Sequence, residues 1–600
     1  MKDELRKAIQ AALESIGISS AAESISLERP AEFANGDYST GVALQHAKQA
    51  GKAPRALAEA VVAALGTIEG VAKIEVAGPG FINFYLAPHT FAATLEKARS
   101  TDMWGANEDE KGKKIMVEYT DPNPFKEFHI GHLMSNAIGE SISRLLQFSG
   151  AEVRRANYQG DVGPHVAKAI WGIRKLGLDP SDASQLGKAY TAGATAYEND
   201  AGAKQEIDAI NAKVYDRSDT EIDAIYDVGR ETSLKHFEDI YKILGTKFDY
   251  YFFESDTAPR GLALVKSHPE VFKQSDGAIV YEGEKVGLHT RVFVTSKGLP
   301  TYEAKDLGLA ELKAETWNFD RSITITAHEQ SGYFKVVLAA MEEIMPKAAE
   351  KIEHVSHGMM RFAEGKMSSR TGNVITGESL VNNLILKAEQ IAENSVNKQS
   401  VHDIKVKLHH AQDKTKVTGI MFIMRDAISR AINKRASKAN SKEKSLLPVA
   451  SQVAVAAVKF VVLRQGSGRD IIFDIDKSLS IEGDSGPYLQ YAYARTCAVV
   501  TKAKAKGVTA AVDTAAEPNE LARLLQHFPD VVEYAAHELE PHLLTNYLLE
   551  LASRFNSWYA QEQILDGTPK AAHKVAVVEA VQRTLKNGLW VLGIPAPEKM

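Results

Sequence analysis

Two histidines three residues apart around a glycine, His129-Ile-Gly-His132, close the run Val117-Glu-Tyr-Thr-Asp-Pro-Asn-Pro-Phe-Lys-Glu-Phe-His-Ile-Gly-His-Leu133. Imidazole N–H groups and the Lys126 ammonium are donors of the kind that phosphate oxygens accept from, so the run points to ATP chemistry. Far downstream, His357-Gly-Met-Met-Arg-Phe-Ala-Glu-Gly-Lys-Met-Ser-Ser-Arg-Thr-Gly-Asn373 offers a second set of groups. Lys366, Ser368, Ser369 and Arg370 carry charge and hydroxyls, and Gly365 and Gly372 bracket them so that the loop can move. Such a loop suits a departing pyrophosphate.

A strand and a helix must position the histidines. Ile115, Val117 and Tyr119 alternate as in a short buried strand, and Asp121-Pro and Asn123-Pro then break the chain into a loop. Met134, Ile138, Ile142 and Leu145 recur at helical spacing until Ser149-Gly150. The motif therefore falls where a strand hands over to a helix. In an open α/β sheet this is where nucleotides bind, because free backbone N–H groups and the helix dipole face the phosphates. The segment resembles the signature of class I aminoacyl-tRNA synthetases, and Glu118-x-x-x-Pro122-Asn123 ahead of it is similar to the arginyl-tRNA synthetase version. Lys366-Met-Ser-Ser-Arg370 resembles the family's Lys-Met-Ser-Lys-Ser loop and departs from it at Arg370.

The resemblance implies attack of an amino acid carboxylate on the α-phosphorus of ATP. That carboxylate is already ionised at pH 7, so no general base is needed. The site must instead supply donors around the phosphorus and a clamp for pyrophosphate. By resemblance, His129, His132, Lys126 and Lys366 are catalytic, and His129, Gly131, His132, Lys366, Ser368 and Ser369 bind ATP. Gly131 would let the adenine lie against the backbone.

A guanidinium is planar and permanently charged, with five donors, so a pocket selective for it needs carboxylates that accept in pairs. Glu118 ends the first strand, and Asp306 closes Gly298-Leu-Pro-Thr-Tyr302-Glu-Ala-Lys-Asp306, which is similar to the family's Leu-Tyr-x-x-Arg-Asp stretch. Tyr302 and Asp306 share a face if a helix begins there. The resemblance assigns Glu118, Tyr302 and Asp306 to the guanidinium, and Asn123, His129 and Gln330 to the backbone end of L-arginine. Gln330 is reached through the alternating strand Ile323-Thr-Ile-Thr-Ala-His-Glu-Gln330. Acids at both Glu118 and Asp306 are wrong for glutamate, glutamine or cysteine, because an anionic pocket repels the first and keeps unpaired buried charge with the others.

The chain has 600 residues, too many for one core, and about 150 per domain gives roughly three to five units. The fold class expected is multidomain α/β and α. An α+β N-terminal add-on domain (1–105) opens with an amphipathic helix, turns at 36–40, continues through an Ala-rich helix and ends on the strand Gly80–Leu86. A Rossmann-like class I catalytic domain (106–375) follows, with helical insertions at about 170–295. Next come a helical connecting region (376–484) and an all-helical anticodon-binding bundle (485–600) opened by Ser485-Gly-Pro-Tyr-Leu-Gln-Tyr-Ala-Tyr-Ala-Arg495. Asp161 lies in Gly160-Asp-Val-Gly163, which resembles the family's Gly-Asp-Trp-Gly with Val162 replacing tryptophan. The single cysteine, Cys497, excludes internal disulfides and cysteine-cluster zinc, and its helical neighbours mark it as buried. No apolar run reaches membrane length, and the acidic start Met-Lys-Asp-Glu-Leu-Arg argues against a targeting peptide.

The N-terminal domain is similar to the add-on domain that touches the tRNA elbow in arginyl-tRNA synthetases, and Phe81 and Asn83 match positions implicated there. Strand packing accounts for Phe81 equally well. Tyr488, Tyr491, Arg495 and Trp558 are candidates for stacking on unpaired anticodon bases, with core filling as the alternative for each aromatic. A net charge of −6 argues mildly against nucleic acid, although lysines and arginines cluster at 405–416 and 434–444. The resemblance implies a ligase with no metal site and no tightly bound cofactor, and a cytoplasmic monomer is expected, although the sequence itself does not decide between monomer and dimer. The ligase would use ATP with Mg2+, L-arginine and tRNA(Arg), transfer arginine to the 2′-hydroxyl of the terminal adenosine, and require tRNA for activation. The competing readings are another class I enzyme and a tRNA-binding paralogue that has lost activation; the latter should have lost motif residues, and His129, His132 and Lys366 remain.

Overall fold

The computed structural model describes residues 1–363, 376–392 and 439–600, with side chains from 449 onward in the last stretch. The N-terminal unit comprises helices α1 (Lys2–Ser15), α2 (Val42–Ala50), α3 (Pro54–Leu65) and α4 (Pro88–Ser100), and strands β1 (Tyr38–Thr40), β2 (Val71–Ala77) and β3 (Phe81–Leu86). The strands form an antiparallel sheet in the order β1-β3-β2. Only the start of the expected 36–40 turn is a turn, since Tyr38–Thr40 pair with Ile82–Phe84 as a strand. Gly36, at φ 100°, makes the entry, and a Cβ there would stand 2.8 Å from the Phe84 carbonyl oxygen. Asp37 is fully buried behind it, accepting from Leu86 N–H at 2.8 Å and from Arg523 at 2.6 Å.

The catalytic unit is built on a five-stranded parallel sheet in the order β11-β10-β4-β5-β6. Its strands are β4 (Lys114–Glu118), β5 (Glu152–Gln159), β6 (Tyr250–Phe253), β10 (Arg321–Ala327) and β11 (Ile352–His357). Both faces of β4 are covered. Ile115 and Val117 pack with helix α5 (Ile130–Phe148), while Met116 joins Ala156, Phe252 and Leu309 on the opposite side. Helices α6 (Pro164–Leu176), α7 (Ala183–Asn199), α8 (Ala201–Asp216) and α9 (Thr220–Leu244) form an insertion with its own core around Val166, Ile170, Ile207 and Tyr226. Two parts of the expected 170–295 insertion differ from that expectation. β6 belongs to the central sheet as an edge strand, with Phe252 of its aromatic run Tyr250–Phe253 buried and Tyr251 exposed. Residues 272–294 are a three-stranded sheet of β7 (Phe272–Ser275), β8 (Ala278–Tyr281) and β9 (Arg291–Val294) packed over helices α10 (Glu254–Ser267), α11 (Tyr302–Thr316) and α12 (Ser331–Ile344).

Beyond the sheet, β12 (Met360–Phe362) pairs in parallel with β13 (Ile471–Phe473). The remaining described residues are dominated by helices at Ala439–Leu463, Gly486–Ala505, Glu520–Gln526, Phe528–His537, Pro541–Gln561 and Lys570–Val591. The Gly486–Ala505 helix starts where the sequence places it, with the Ser485 hydroxyl accepting from Tyr488 N–H at 3.0 Å and Pro487 in the first turn. Cys497 is buried inside that helix. The N-terminal unit sits against this bundle through Arg29, which grips Glu550 at 3.1 and 2.6 Å, and through Tyr38, whose hydroxyl donates to Asp530 at 2.8 Å.

Helix α5 is buried almost all round, between the sheet and the C-terminal bundle. One charge lies in its middle. Glu140 accepts from the Tyr119 hydroxyl at 2.6 Å, Arg144 at 2.6 Å and Arg155 at 3.2 Å. Burial pushes its carboxyl up, but Arg144, Arg155 and Lys459 hold it down to about 2. Lys459 is fully buried beside it, donates to Gly593 O at 2.9 Å, and is brought to about 7 by burial and the two arginines. Glu140→Ala would leave Arg144 and Arg155 facing an apolar gap without their shared acceptor. It is expected to cost about 3–5 kcal/mol, read as a lowered melting temperature; an unchanged melting temperature would show that the network contributes nothing to stability.

Candidate active site

β4 and β10 are neighbours at the place where the strand order of the sheet reverses, and the crevice beyond their carboxyl ends is the natural ligand site of such a sheet. The loop leaving β4 is strained. Thr120 (φ 81°), Asp121 (φ 47°) and Phe125 (φ 66°) all occupy the left-handed region, which costs about 1–3 kcal/mol each without glycine. Side chains on other elements hold them there. The Thr120 N–H donates to Ser135 Oγ at 3.0 Å, Asp121 Oδ1 accepts from Tyr158 N–H at 2.7 Å, and Phe125 N–H donates to Ser233 Oγ at 2.9 Å.

His129 caps the N-terminus of α5. Its backbone N–H donates to Nδ1 of His132 at 3.2 Å, the His129 ring accepts from the His132 backbone N–H, and the two rings stack with centroids 3.4 Å apart. Because Nδ1 of His132 accepts, its proton resides on Nε2, which becomes a donor. Burial, reinforced by the Lys126 charge, holds His129 down to about 4, and burial with His129 and Lys126 holds His132 well below the usual imidazole range. Both are therefore neutral donors at pH 7. Lys126, resting 4.9 Å from the Tyr190 ring centroid, is itself lowered by burial and by Lys168, an excess of positive potential that suits a polyphosphate. A Cβ on Gly131 would stand 3.2 Å from Nδ1 and Cε1 of His129, so the glycine leaves room for the stacked ring. Thr376, the first described residue after 375, bridges to His129, and Gly377 N–H donates to Phe128 O at 2.8 Å. Lys366, Ser368, Ser369 and Arg370 lie outside the described residues, as do the basic residues from 405 to 438.

The carboxylates converge on the other side of the loop. Glu118 is buried and makes a close ion pair with Lys313 Nζ at 2.6 Å, without the direction of a good hydrogen bond. Asp306 accepts from the Tyr333 hydroxyl at 2.5 Å. Burial raises the Asp306 carboxyl to about 7, with Tyr333 and Lys313 pulling it down and Glu118 and Glu254 pushing it up. Tyr302 stands one turn earlier on α11, 55% exposed. Asn123 crowds Gly160 and Glu254 in the same crevice, and Gln330 is exposed at the turn after β10. Glu118 and Glu254 thus face Asp306, with Asn123 beside Glu254, while Tyr302 and Gln330 are exposed.

Several charged residues of this site were not identified from the sequence. Glu254, at the carboxyl end of β6, holds Lys305 in a buried pair at 2.5 Å, and Asp121 is raised by burial and by Glu118. A usable signal existed for Glu254, an acid ending a strand as Glu118 does, and for Lys313, seven residues and so two turns after Asp306. Asp161 is structural here: it is fully buried and accepts from Arg230 at 2.8 Å, Tyr226 at 3.3 Å, and the Ser255 N–H and hydroxyl at 2.8 Å. Helices α10 and α11 meet through Gly261 and Gly308, where a Cβ on either would collide with the backbone of the other helix. Gly261→Ala is expected to cost about 1–3 kcal/mol by overpacking and to displace Glu254 relative to Asp306. Differential scanning fluorimetry with and without arginine reads both effects; an unchanged melting point would contradict the close contact.

Phe81 is 42% exposed on the N-terminal sheet, whereas Asn83 is buried and accepts from the Ser39 hydroxyl at 2.7 Å. In the C-terminal bundle, Arg495 lies over the rings of Tyr491 and Tyr559 at 4.6 and 4.9 Å and donates to the Tyr491 hydroxyl at 3.0 Å. Trp558 is half-buried against Phe555 close by, and Tyr488 lines an open groove of about 370 Å³ with Arg464, Asn546 and Glu550.

Three family models match the chain: tRNA synthetases class I (R), catalytic domain, over residues 94–413; the DALR anticodon binding domain over 489–600; and the arginyl tRNA synthetase N terminal domain over 3–86. The chain is 30% identical over 588 residues to the arginine–tRNA ligase of Clostridium acetobutylicum and 29% identical over 589 residues to that of Clostridium perfringens, covering 96% of each chain in both cases. Its structure is similar to the arginyl-tRNA synthetase of Thermus thermophilus, with a TM-score of 0.76 at 26% identity over 99% of both chains. It shares the fold of the Plasmodium falciparum enzyme, with a TM-score of 0.73 at 19% identity over 99% of this chain and 98% of that one. A parallel sheet with a histidine-capped helix at its switch point, joined to matches that run from the N-terminal unit to the last residue, shows that the chain belongs to the arginyl-tRNA synthetase family of class I aminoacyl-tRNA synthetases.

Proposed function

We infer that the chain charges tRNA with arginine in two steps, activation by ATP and transfer to the tRNA terminus. The observation that carries this reading is the buried group of carboxylates, Glu118 and Asp306 foremost, beside a pair of neutral, mutually capped histidines at the switch point of the sheet. Arginine enters with its guanidinium toward Glu118, Asp306 and the Tyr302 hydroxyl, and its ammonium and carboxylate toward Asn123, His129 and Gln330. Its carboxylate oxygen attacks the α-phosphorus of ATP in line with the leaving pyrophosphate. His129, His132 and Lys126 donate to the oxygens on which negative charge grows, and need give up no proton. Lys366, Ser368 and Ser369 would hold the pyrophosphate side. Mg2+ arrives with ATP as part of the substrate, since the groups at the phosphate end are donors and cations that suit phosphate oxygens. The terminal adenosine of tRNA(Arg) then attacks the mixed anhydride through its 2′-hydroxyl and releases AMP.

The division proposed for the chain is 1–105, 106–375, 376–484 and 485–600, and the three family matches fall within or across these spans. Phe81 on the exposed N-terminal sheet, with Asn83 supporting the strand, would meet the tRNA elbow. Tyr488, Tyr491, Arg495 and Trp558 would meet the anticodon. No described helix is long and apolar enough to cross a membrane, and we take the enzyme to be a cytoplasmic monomer. The test is charging with labelled arginine of tRNA ending in 2′-deoxyadenosine or 3′-deoxyadenosine. Charging of the 3′-deoxy form alone supports the reading; charging of the 2′-deoxy form alone overturns the transfer step.

A further inference from the structure

Lys313 comes from the last turn of α11, seven residues after Asp306 and therefore on the same face of that helix. Its ammonium is buried, 2.6 Å from Glu118 Oε2, with the hydroxyls of Ser322 and Thr324 at 3.4 and 3.5 Å. Thr324 is the register partner of Glu118 across the β10–β4 pair, so the lysine sits on the strand junction that carries the pocket. A cation buried this way keeps its place only if its acceptors are fixed, and an acid buried this way only if its charge is met. No ligand contact is needed for either.

We propose that Lys313 is a positioning residue for arginine recognition: it pins one oxygen of Glu118, leaves the other to accept from the guanidinium, and sets how much negative charge the pocket holds around Asp306. The inference rests on the assignment of Glu118 and Asp306 to the guanidinium. The groups facing Asp306 are Glu118 and Asp121 from β4 and the loop after it, Tyr158 from β5, Glu254 from α10, Lys313 on its own helix and Tyr333 from α12. Lys305 is committed to Glu254, so among the described residues Lys313 is the cation that offsets Glu118. Without it, Asp306 would face an unneutralised Glu118 and ionise at higher pH. Arginine binding would then both weaken and shift its pH dependence.

The test uses the full chain charging tRNA at varied arginine concentration from pH 6 to 8.5. Lys313→Met keeps the length of the side chain and removes the charge. It is expected to raise the arginine KM about 10- to 100-fold, to leave the ATP KM within about twofold, and to move the midpoint of arginine kcat/KM about one pH unit upward. Lys313→Arg should return the midpoint to that of the parent while the larger planar head keeps KM raised several-fold. A folded Lys313→Met with the parent's arginine KM and midpoint overturns the proposal. So does a parallel rise of the arginine and ATP KM values with an unmoved midpoint, which is what a merely structural lysine gives. If Lys313→Met does not fold, an unchanged arginine KM in Lys313→Arg overturns it instead. Glu118→Gln separates the two levels: if it leaves the arginine KM unchanged, the pocket assignment itself has failed.

Discussion

Asp306→Asn is expected to lower kcat/KM for arginine by about 10²–10³-fold while leaving the ATP KM nearly unchanged. Removing one partner of a buried, hydrogen-bonded charge pair costs about 2–5 kcal/mol, much of it the penalty of leaving the guanidinium unmet. The same substitution should flatten a pH dependence. In the free protein the Asp306 carboxyl is raised to about 7, so it is largely protonated at pH 6 and ionised at pH 8. A guanidinium stays cationic throughout and binds the ionised form, so kcat/KM for arginine should rise about tenfold per pH unit below the midpoint and level off above it. A raised carboxyl has the opposite consequence for folding. The unfolded chain ionises near the ordinary carboxylate value while the folded chain does not, so this group's contribution to stability is present at low pH and is lost as pH climbs to about 7. Arginine titrations at pH 6, 7 and 8 on the parent and on Asp306→Asn check both statements. A parent without pH dependence would mean that Asp306 is not the carboxylate the guanidinium meets.

The second large effect is expected at the histidines. His132→Ala removes the Nε2–H donor, the acceptor of the His129 N–H, and the ring on which His129 stacks. A single donor aimed at developing negative charge is worth about 10²–10³ in kcat, so pyrophosphate exchange should fall by at least that factor with little change in arginine KM. Loss of the helix cap adds about 1 kcal/mol of destabilisation. Because burial keeps both imidazoles neutral, kcat/KM for ATP should show no inflection near pH 6.5. Stability should instead decline as pH falls from the ordinary imidazole range toward about 4, because the unfolded chain takes up protons that the folded site refuses. A loss of less than tenfold in His132→Ala would place the donor elsewhere.

What was legible in the sequence follows from what is local. The strand at 114–118, the helix at 130–148 and the cap at Ser485 each write their hydrophobic period or cap into neighbouring residues. The fold class was reached from motifs of that kind, whereas Glu118 and Asp306 were assigned to the guanidinium by resemblance. The pairing of Tyr38–Thr40 was not, because three residues after Gly-Asp are indistinguishable from a turn until β3 is beside them. β6 was hidden inside a charged helical stretch for the same reason, since a four-residue edge strand carries too little period to separate from its surroundings. Lys305 and Lys313, which pair with Glu254 and Glu118, drew no reading of their own from the sequence, because a lysine on a helix carries no mark of a partner on another element. Only the docking of α11 against β10 and α10 buries them. Asn83 went the other way: a polar residue read as a surface contact faces inward because Ser39, across the sheet, supplies its hydrogen bond.

The most direct test of the account is ATP–pyrophosphate exchange with each amino acid in turn, run with and without total tRNA. The account predicts exchange with arginine alone, switched on by tRNA, since carboxylates arranged for a guanidinium leave buried charge unmet with any neutral side chain. Exchange with a different amino acid, or none from folded protein in either condition, would contradict it.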